Sequence, residues 1–208
     1  MTIDRAGWPF IAAAWVPAGL CALAGLPMVA GGLTILGIAL GLFSRDPVRH
    51  PPTEAGAVVS PADGKVLSTG QADPTLAPEG TWEQISIFLS PLDVHVNRVP
   101  HVGRVTRVDH VPGKFLPAYR DGAAAENERT EVWVEHDGRV IVFRQVVGAL
   151  ARRVVCRVKV GDAVQTGERF GIMKFGSRMD IFLPAGTTLL VSPGETVRGG
   201  ETIIARLT

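Results

Sequence analysis

The chain has 208 residues, enough for one ordinary domain and an appendage. A formal net charge of +1, with no long run of like charge, excludes the basic footprint of a nucleic-acid binder, and two cysteines, Cys21 and Cys156, exclude a disulfide framework or a thiolate zinc site. Hydrophobic residues make up 46% of the chain, high for a soluble protein, and the excess is concentrated near the N-terminus.

Residues 6–44 contain no Asp, Glu, Lys, Arg or His. Gly25-Leu26-Pro27 interrupts this stretch and leaves two apolar arms, 8–24 and 28–43. As helices the arms are about 22–26 Å long, short of the roughly 30 Å hydrocarbon core of a bilayer. Arg5 precedes the first arm, and Arg45 and Arg49 follow the second. Positive flanks at both ends predict a membrane hairpin with both ends on the cytoplasmic side, either shallow or barely spanning. A cleaved signal peptide is the alternative, but the stretch exceeds an h-region of roughly 7–15 residues and has no clear Ala-x-Ala site.

From Arg45 to Pro52 the composition turns charged and Pro-rich, dividing the chain into a helical hairpin over 1–45 and a β-rich domain over 46–208. Beyond the boundary, short β-branched runs alternate with Gly, Pro and Asp. Strands are predicted at 56–60, 64–70, 84–90, 94–98, 102–110, 131–136, 139–146, 152–159, 179–183, 188–191 and 202–207, with a short helix at 114–120. Asp137-Gly138, between Val134 and Val140, marks a tight hairpin. The fold class is mainly β, a sandwich or barrel-sandwich-like domain behind a helical hairpin.

Within this domain, Ser60-Pro61-Ala62-Asp63-Gly64-Lys65 reads as a turn between strands. Leu92-Asp93-Val94-His95-Val96-Asn97-Arg98 alternates like a strand, so Asp93, His95 and Asn97 share one face, and His95 is a natural general base or proton donor. Arg98, Arg104 and Arg107, with His101 and His110, form a positive stretch suited to a phosphodiester or anionic lipid. The polar run Glu126-Asn127-Glu128-Arg129 has no physical reading of its own. No His, Cys and carboxylate cluster has convincing metal spacing.

Val158-x-x-Gly161-Asp162-x-Val164-x-x-Gly167-Glu168 returns 33 residues later as Val191-x-x-Gly194-Glu195-x-Val197-x-x-Gly200-Glu201. Two such turn-plus-strand units are expected to pair into a small β-sandwich, with Gly176-Ser177 on the connection between them. The hydroxyl of Ser177 can attack the Gly176 carbonyl, replacing the amide by an ester. Elimination and hydrolysis then leave a pyruvoyl group on residue 177, an electron sink. Glycine suits the scissile position because it tolerates a strained backbone.

Gly7-Trp8-Pro9-Phe10-Ile11, Ser60–Lys65, Ser90-Pro91-Leu92-Asp93-Val94-His95-Val96-Asn97-Arg98, Glu126–Arg129 and Phe175-Gly176-Ser177-Arg178 occur in the order that resembles phosphatidylserine decarboxylase proenzymes of the short bacterial and archaeal type. The resemblance covers almost the whole chain. It implies self-cleavage between residues 176 and 177 into chains 1–176 and 177–208 that stay together as a heterodimer able to assemble further, and decarboxylation of phosphatidylserine to phosphatidylethanolamine at the membrane. It implies that Ser177 supplies the pyruvoyl group, that its ketone condenses with the substrate amine, and that Asp63 assists self-processing. Longer members carry a second histidine where Arg98 stands, so His95 is assigned to decarboxylation; Asn97, Arg98 and Asn127 are the substrate-binding candidates. The repeat also resembles biotinyl and lipoyl carrier domains, with Met173-Lys174-Phe175 partly imitating the modified tip, so a membrane-tethered carrier modified at Lys174 is the rival. A Ser177 hydrolase is a third reading, weakened because Met179 stands where a nucleophile elbow has its second glycine.

Overall fold

The computed structural model describes residues 1–117, 123–148, 154–173 and 177–207. The chain divides into two units, Met1–Val48 and Arg49–Thr208. In the first, β1 (Thr2–Ile3) pairs antiparallel with β2 (Arg45–Asp46), closing the base of a hairpin of α1 (Trp8–Leu23) and α2 (Pro27–Phe43). The arms fall where the apolar stretch predicts, and Gly25, at φ 73°, makes the turn. Glycines let the arms approach: a Cβ on Gly37 would overlap the Trp15 ring, and one on Gly7 would overlap Ser44. The apolar side chains mostly face outward, with Leu23 and Met28 at the tip 89% and 90% exposed. Among the described residues, no helix is long and apolar enough to cross a membrane.

The second unit runs β3 (Ala57–Val59), β4 (Gly64–Gln71), β5 (Trp82–Leu89), β6 (Val96–Arg98), β7 (Gly103–Val111), α3 (Ala123–Glu126), β8 (Arg129–His136) and β9 (Arg139–Val146). It continues with β10 (Val154–Cys156), β11 (Ala163–Val164), β12 (Arg169–Met173), β13 (Ser177–Pro184), β14 (Thr188–Leu189), β15 (Thr196–Val197) and β16 (Ile203–Arg206). One curled eight-stranded sheet has the order β11-β7-β8-β9-β13-β5-β4-β15, and two three-stranded sheets, β10-β12-β6 and β14-β16-β3, accompany it. The unit is mainly β, as expected. Asp137 and Gly138 take φ 49° and 76° in the turn between β8 and β9, the positive angles this tight hairpin requires.

Two expectations are corrected. The helix predicted at 114–120 is absent from its described part: Lys114 forms a bridge with Asn127, and Pro117 biases Leu116 away from helix. The described helical turn is α3 instead, and residues 118–120 lie outside the described set. Nor do the two repeat copies pair strand to strand. Strand β11 docks on β7 and β15 on β4, at opposite edges of the large sheet. The docking is alike: Gly161 donates to the Val105 carbonyl and Gly194 to the Val66 carbonyl, each at 2.8 Å. Gly161 and Gly194 both have φ 95°, and Gly167 and Gly200 both have φ 78°. A Cβ on Gly200 would lie 3.6 Å from the Cα of Gly167, so the sheet curls until the turns flanking its two edge strands meet.

The core fills the inner side of this curl. Ile85, Ile87 and Leu89 of β5, Ile141 and Phe143 of β9, and Met179, Ile181 and Leu183 of β13 are all buried in one cluster. Val142 and Phe182 face the other way, with Ala72 and Trp82, in a smaller cluster.

Candidate active site

Strand alternation decides which side chains meet. In β13, Ser177 has the parity of Met179, Ile181 and Leu183 and faces the core, whereas Arg178 and Asp180 face outward with Phe182. The charged neighbours of Ser177 in sequence are therefore on the opposite side of the sheet. Ser177 pairs with Leu89, and Met179 with both Ile87 and Gln145. Gln145 follows Ile141 and Phe143 on the inward face of β9 and places a polar group at the end of the core. Ser177 is fully buried, and its Oγ has no hydrogen-bond partner among the described residues.

The other wall comes from β6 and β12. Met173 N–H donates to the His95 carbonyl at 3.1 Å, so His95 lies beside the strand end that precedes the connection to Ser177. The connection, Lys174-Phe175-Gly176, includes the proposed scissile glycine and the lysine of the carrier reading, and it lies outside the described residues. His95 is fully buried. Its Nδ1 lies 2.9 Å from the Asp93 carbonyl, which can only accept, so Nδ1 carries the proton and the buried Nε2 is the basic nitrogen. Asn97 sits opposite Gly171 of β12, and Gln145 Nε2 donates to Asn97 Oδ1 at 2.8 Å. Gln145 thus stands beside Asn97 and one diagonal step across the ladder from Ser177, with His95 two residues before Asn97, and all four are 0% exposed. Asp93 does not share the face with His95 and Asn97. It lies in the turn before β6, where its Oδ2 accepts from Ser90 N–H at 2.7 Å.

The other candidates stand apart. Asp63 accepts from both Arg49 Nη2, at 2.7 and 3.0 Å, and Gly199 N–H, at 2.8 Å. Arg98 is buried and its Nη1 donates to the Gly167 carbonyl at 3.0 Å, beside the meeting repeat turns. Asn127 is fully buried, holding Leu116 through both amide atoms and the Val147 carbonyl through Nδ2. Both are buried, Arg98 at 6% and Asn127 at 0% exposure. The positive stretch is likewise dispersed: Arg104 donates to the Gly161 carbonyl, and Arg107 pairs with Asp109 and lies over Trp133.

On the outward face, Glu131, Arg144, Asp180 and Ser86 align across β8, β9, β13 and β5. Arg144 meets Glu131 at 3.0 Å, Arg178 Nε meets Asp180 at 2.6 Å, and Ser86 donates to Asp180 at 2.6 Å. Burial pushes the Arg144 guanidinium below its ordinary pKa. This polar ladder backs the strand that begins at Ser177. A cavity of about 510 Å³ lies elsewhere, between residues such as Gly56, His101, His136 and Thr166. None of the residues clustered around Ser177 is in its lining.

A family model described as phosphatidylserine decarboxylase matches residues 37–205. The chain is 44% identical to a phosphatidylserine decarboxylase proenzyme of Anaplasma phagocytophilum, covering 99% of this chain and 91% of that one. It is 45% identical to the proenzyme of Symbiobacterium thermophilum over 99% and 95% of the two chains. With that of Salinibacter ruber it shares 43% over 94% and 86%.

Proposed function

The chain belongs to the phosphatidylserine decarboxylase proenzyme family, and from that premise we propose that Ser177 cuts its own chain to make the active decarboxylase. The enzyme is a carboxy-lyase that converts phosphatidylserine to phosphatidylethanolamine in phospholipid biosynthesis. The carrier reading finds no support in relatives that are decarboxylase proenzymes.

One observation carries the assignment of the site. Ser177 Oγ is buried without a partner among the described residues at the start of a central strand, four residues after the Met173 amide that binds the His95 carbonyl. A buried hydroxyl left unpaired is costly in a merely structural role, and it fits a nucleophile set beside its own chain. Ser177 Oγ attacks the Gly176 carbonyl carbon and the peptide N–C bond breaks, leaving an ester. Loss of the Ser177 α-proton and cleavage of the ester Cβ–O bond release Gly176 as a carboxylate. Tautomerisation, addition of water and loss of ammonia convert residue 177 to a pyruvoyl group. That group supplies a sink for the electron pair of the departing carboxylate.

The protein's own residues do the rest. His95 Nε2 moves the proton that must return to the substrate carbon. Burial of Ser177, His95 and Asn97 keeps water from the carboxylate and strengthens each polar contact. Asn97 meets the headgroup. Asp63, engaged with Arg49 and Gly199, assists processing by positioning the strand start beside β5, while Arg98 and Asn127 hold the walls. Chains 1–176 and 177–208 remain one heterodimer because β13 has ladder partners on both sides. The exposed apolar hairpin anchors the enzyme to the cytoplasmic side of the cell membrane, where its lipid substrate resides.

A denaturing gel and intact mass measurement test the reading. The expected result is two pieces, the smaller covering the 32 residues 177–208 and carrying a blocked, carbonyl-bearing N-terminus. Fully active material running as one chain with an unmodified serine overturns it.

A further inference from the structure

Ser177 Oγ, Asn97 Nδ2 and Gln145 Oε1 are fully buried polar side-chain atoms on the inner face with no hydrogen-bond partner among the described residues. The first is accounted for by self-cleavage; the other two are not. They belong to amides already joined by one hydrogen bond, from Gln145 Nε2 to Asn97 Oδ1. Two facing amides can exchange two bonds, and a pair that only fastened β9 to β6 would gain by making both. Here each amide keeps one half unused. Exchanging O and N in both amides changes nothing, because the pair still presents one spare N–H donor and one spare carbonyl acceptor.

The pair is accommodated by its surroundings. A Cβ on Gly171 would overlap the Val155 carbonyl oxygen and lie 2.8 Å from Gln145 Nε2, so glycine there leaves room for both the neighbouring strand and the amide. Gln145 pairs directly with Met179, and Ser177 lies two residues before Met179 on the same face, one diagonal step across the ladder. The spare donor and acceptor therefore border the residue that becomes the reactive terminus.

We propose that Asn97 and Gln145 form the receptor for the amino-acid end of the lipid headgroup, the spare amide N–H donating to its carboxylate and the spare amide carbonyl accepting from its amine. Gln145 is then a substrate-contacting residue that selects a headgroup bearing both groups over one bearing an amine alone. A site built to bond a polar group rejects the analogue lacking it, because its own buried partner is left unsatisfied. The proposal rests on the decarboxylase reading of this site, but it does not depend on how the Ser177 terminus is modified.

The test uses the full, cleaved protein with Gln145→Met, which keeps length and removes both amide functions, and Gln145→Glu, which keeps shape and places a negative charge against the substrate carboxylate. Cleavage on a gel and titration of the N-terminal ketone with a carbonyl reagent should match wild type. The kcat/KM for phosphatidylserine in mixed micelles should fall roughly ten- to a hundredfold, mostly in KM. Independently of turnover, O-phospho-L-serine should raise the melting temperature of wild type more than phosphoethanolamine does, and that difference should vanish in both variants. Cleaved variants that keep KM within about twofold and retain the difference overturn the proposal. A folded but uncut variant also overturns it, by assigning Gln145 to processing. If one variant fails to fold, the other decides. An uncut wild type with an intact serine would instead overturn the self-cleavage reading, leaving the melting comparison to judge the amide pair.

Discussion

The backbone amide of Met173 donates to the carbonyl of His95 at 3.1 Å, fastening the strand end that leads to the cleavage point to the strand that carries the imidazole. The proposed cut, three residues later, would leave this bond intact and keep His95 in its place beside β12.

His95→Gln separates the two stages. The side chain keeps comparable length but cannot move a proton near neutral pH, so decarboxylation should fall about 10²–10⁴-fold. Processing, followed on a denaturing gel as the fraction cut, should fall less, since in the resemblance to longer members it is a second histidine, where Arg98 stands here, that is tied to self-processing. Equal loss of both activities would place His95 in self-cleavage.

Ser177→Ala removes a buried hydroxyl that bonds to nothing described. The variant should be uncut and inactive. Its stability to denaturant should match or exceed that of the precursor, with any loss under about 1 kcal/mol, because no hydrogen bond is broken and an unsatisfied group is eliminated. A large loss would mean that the hydroxyl has a structural partner.

Asp180→Ala strips the ladder of the carboxylate that Arg178 and Ser86 share. Arg178 is then a mostly buried cation without its partner, and breaking such a pair costs about 3–5 kcal/mol. Chemical denaturation should report that loss. Replacing Arg178 and Asp180 together by Met and Leu should recover much of it.

His101 is buried, and desolvation holds its pKa below the ordinary histidine value. The unfolded chain therefore binds more protons than the native one below about pH 6.5, and wild type should lose stability as pH falls through that range. In His101→Gln this segment of the stability curve should flatten. Glu201 acts in a separate, more acidic window: the Arg49 hydrogen bond holds its carboxyl below the usual value, so its contribution is present above about pH 4.5 and lost on further acidification. Melting temperatures from about pH 2 to 8 distinguish the two.

Much of this architecture is legible before any coordinates. The charge-free stretch with Gly25-Leu26-Pro27 at its centre reads directly as a hairpin, and β9 covers the residues its alternation predicts, 139–146. Strand β12 is harder to see, because Gly171 interrupts its apolar run; the glycine admits the close approach of the Val155 carbonyl and the Gln145 amide rather than making a turn. Gln145 itself carries a faint signal, as the polar third member of the inward series Ile141, Phe143, Gln145. The bond from Arg98 to the Gly167 carbonyl, 69 residues away in the chain, has no signal in the local sequence.

Local chemistry determined the alternating strands, the tight turn at Asp137-Gly138 and the apolar arms, and it singles out the Gly176-Ser177 dipeptide, since each depends on residues within a few positions of one another. Only the tertiary structure decided which groups share the reactive chamber. A side chain's face in a strand is a local matter, but its partners come from registers set across β5, β9, β13 and the β6–β12 pair. That is why Arg178 and Asp180, beside Ser177 in the chain, back the sheet, while Gln145 and Asn97, distant in the chain, stand with it at the end of the core.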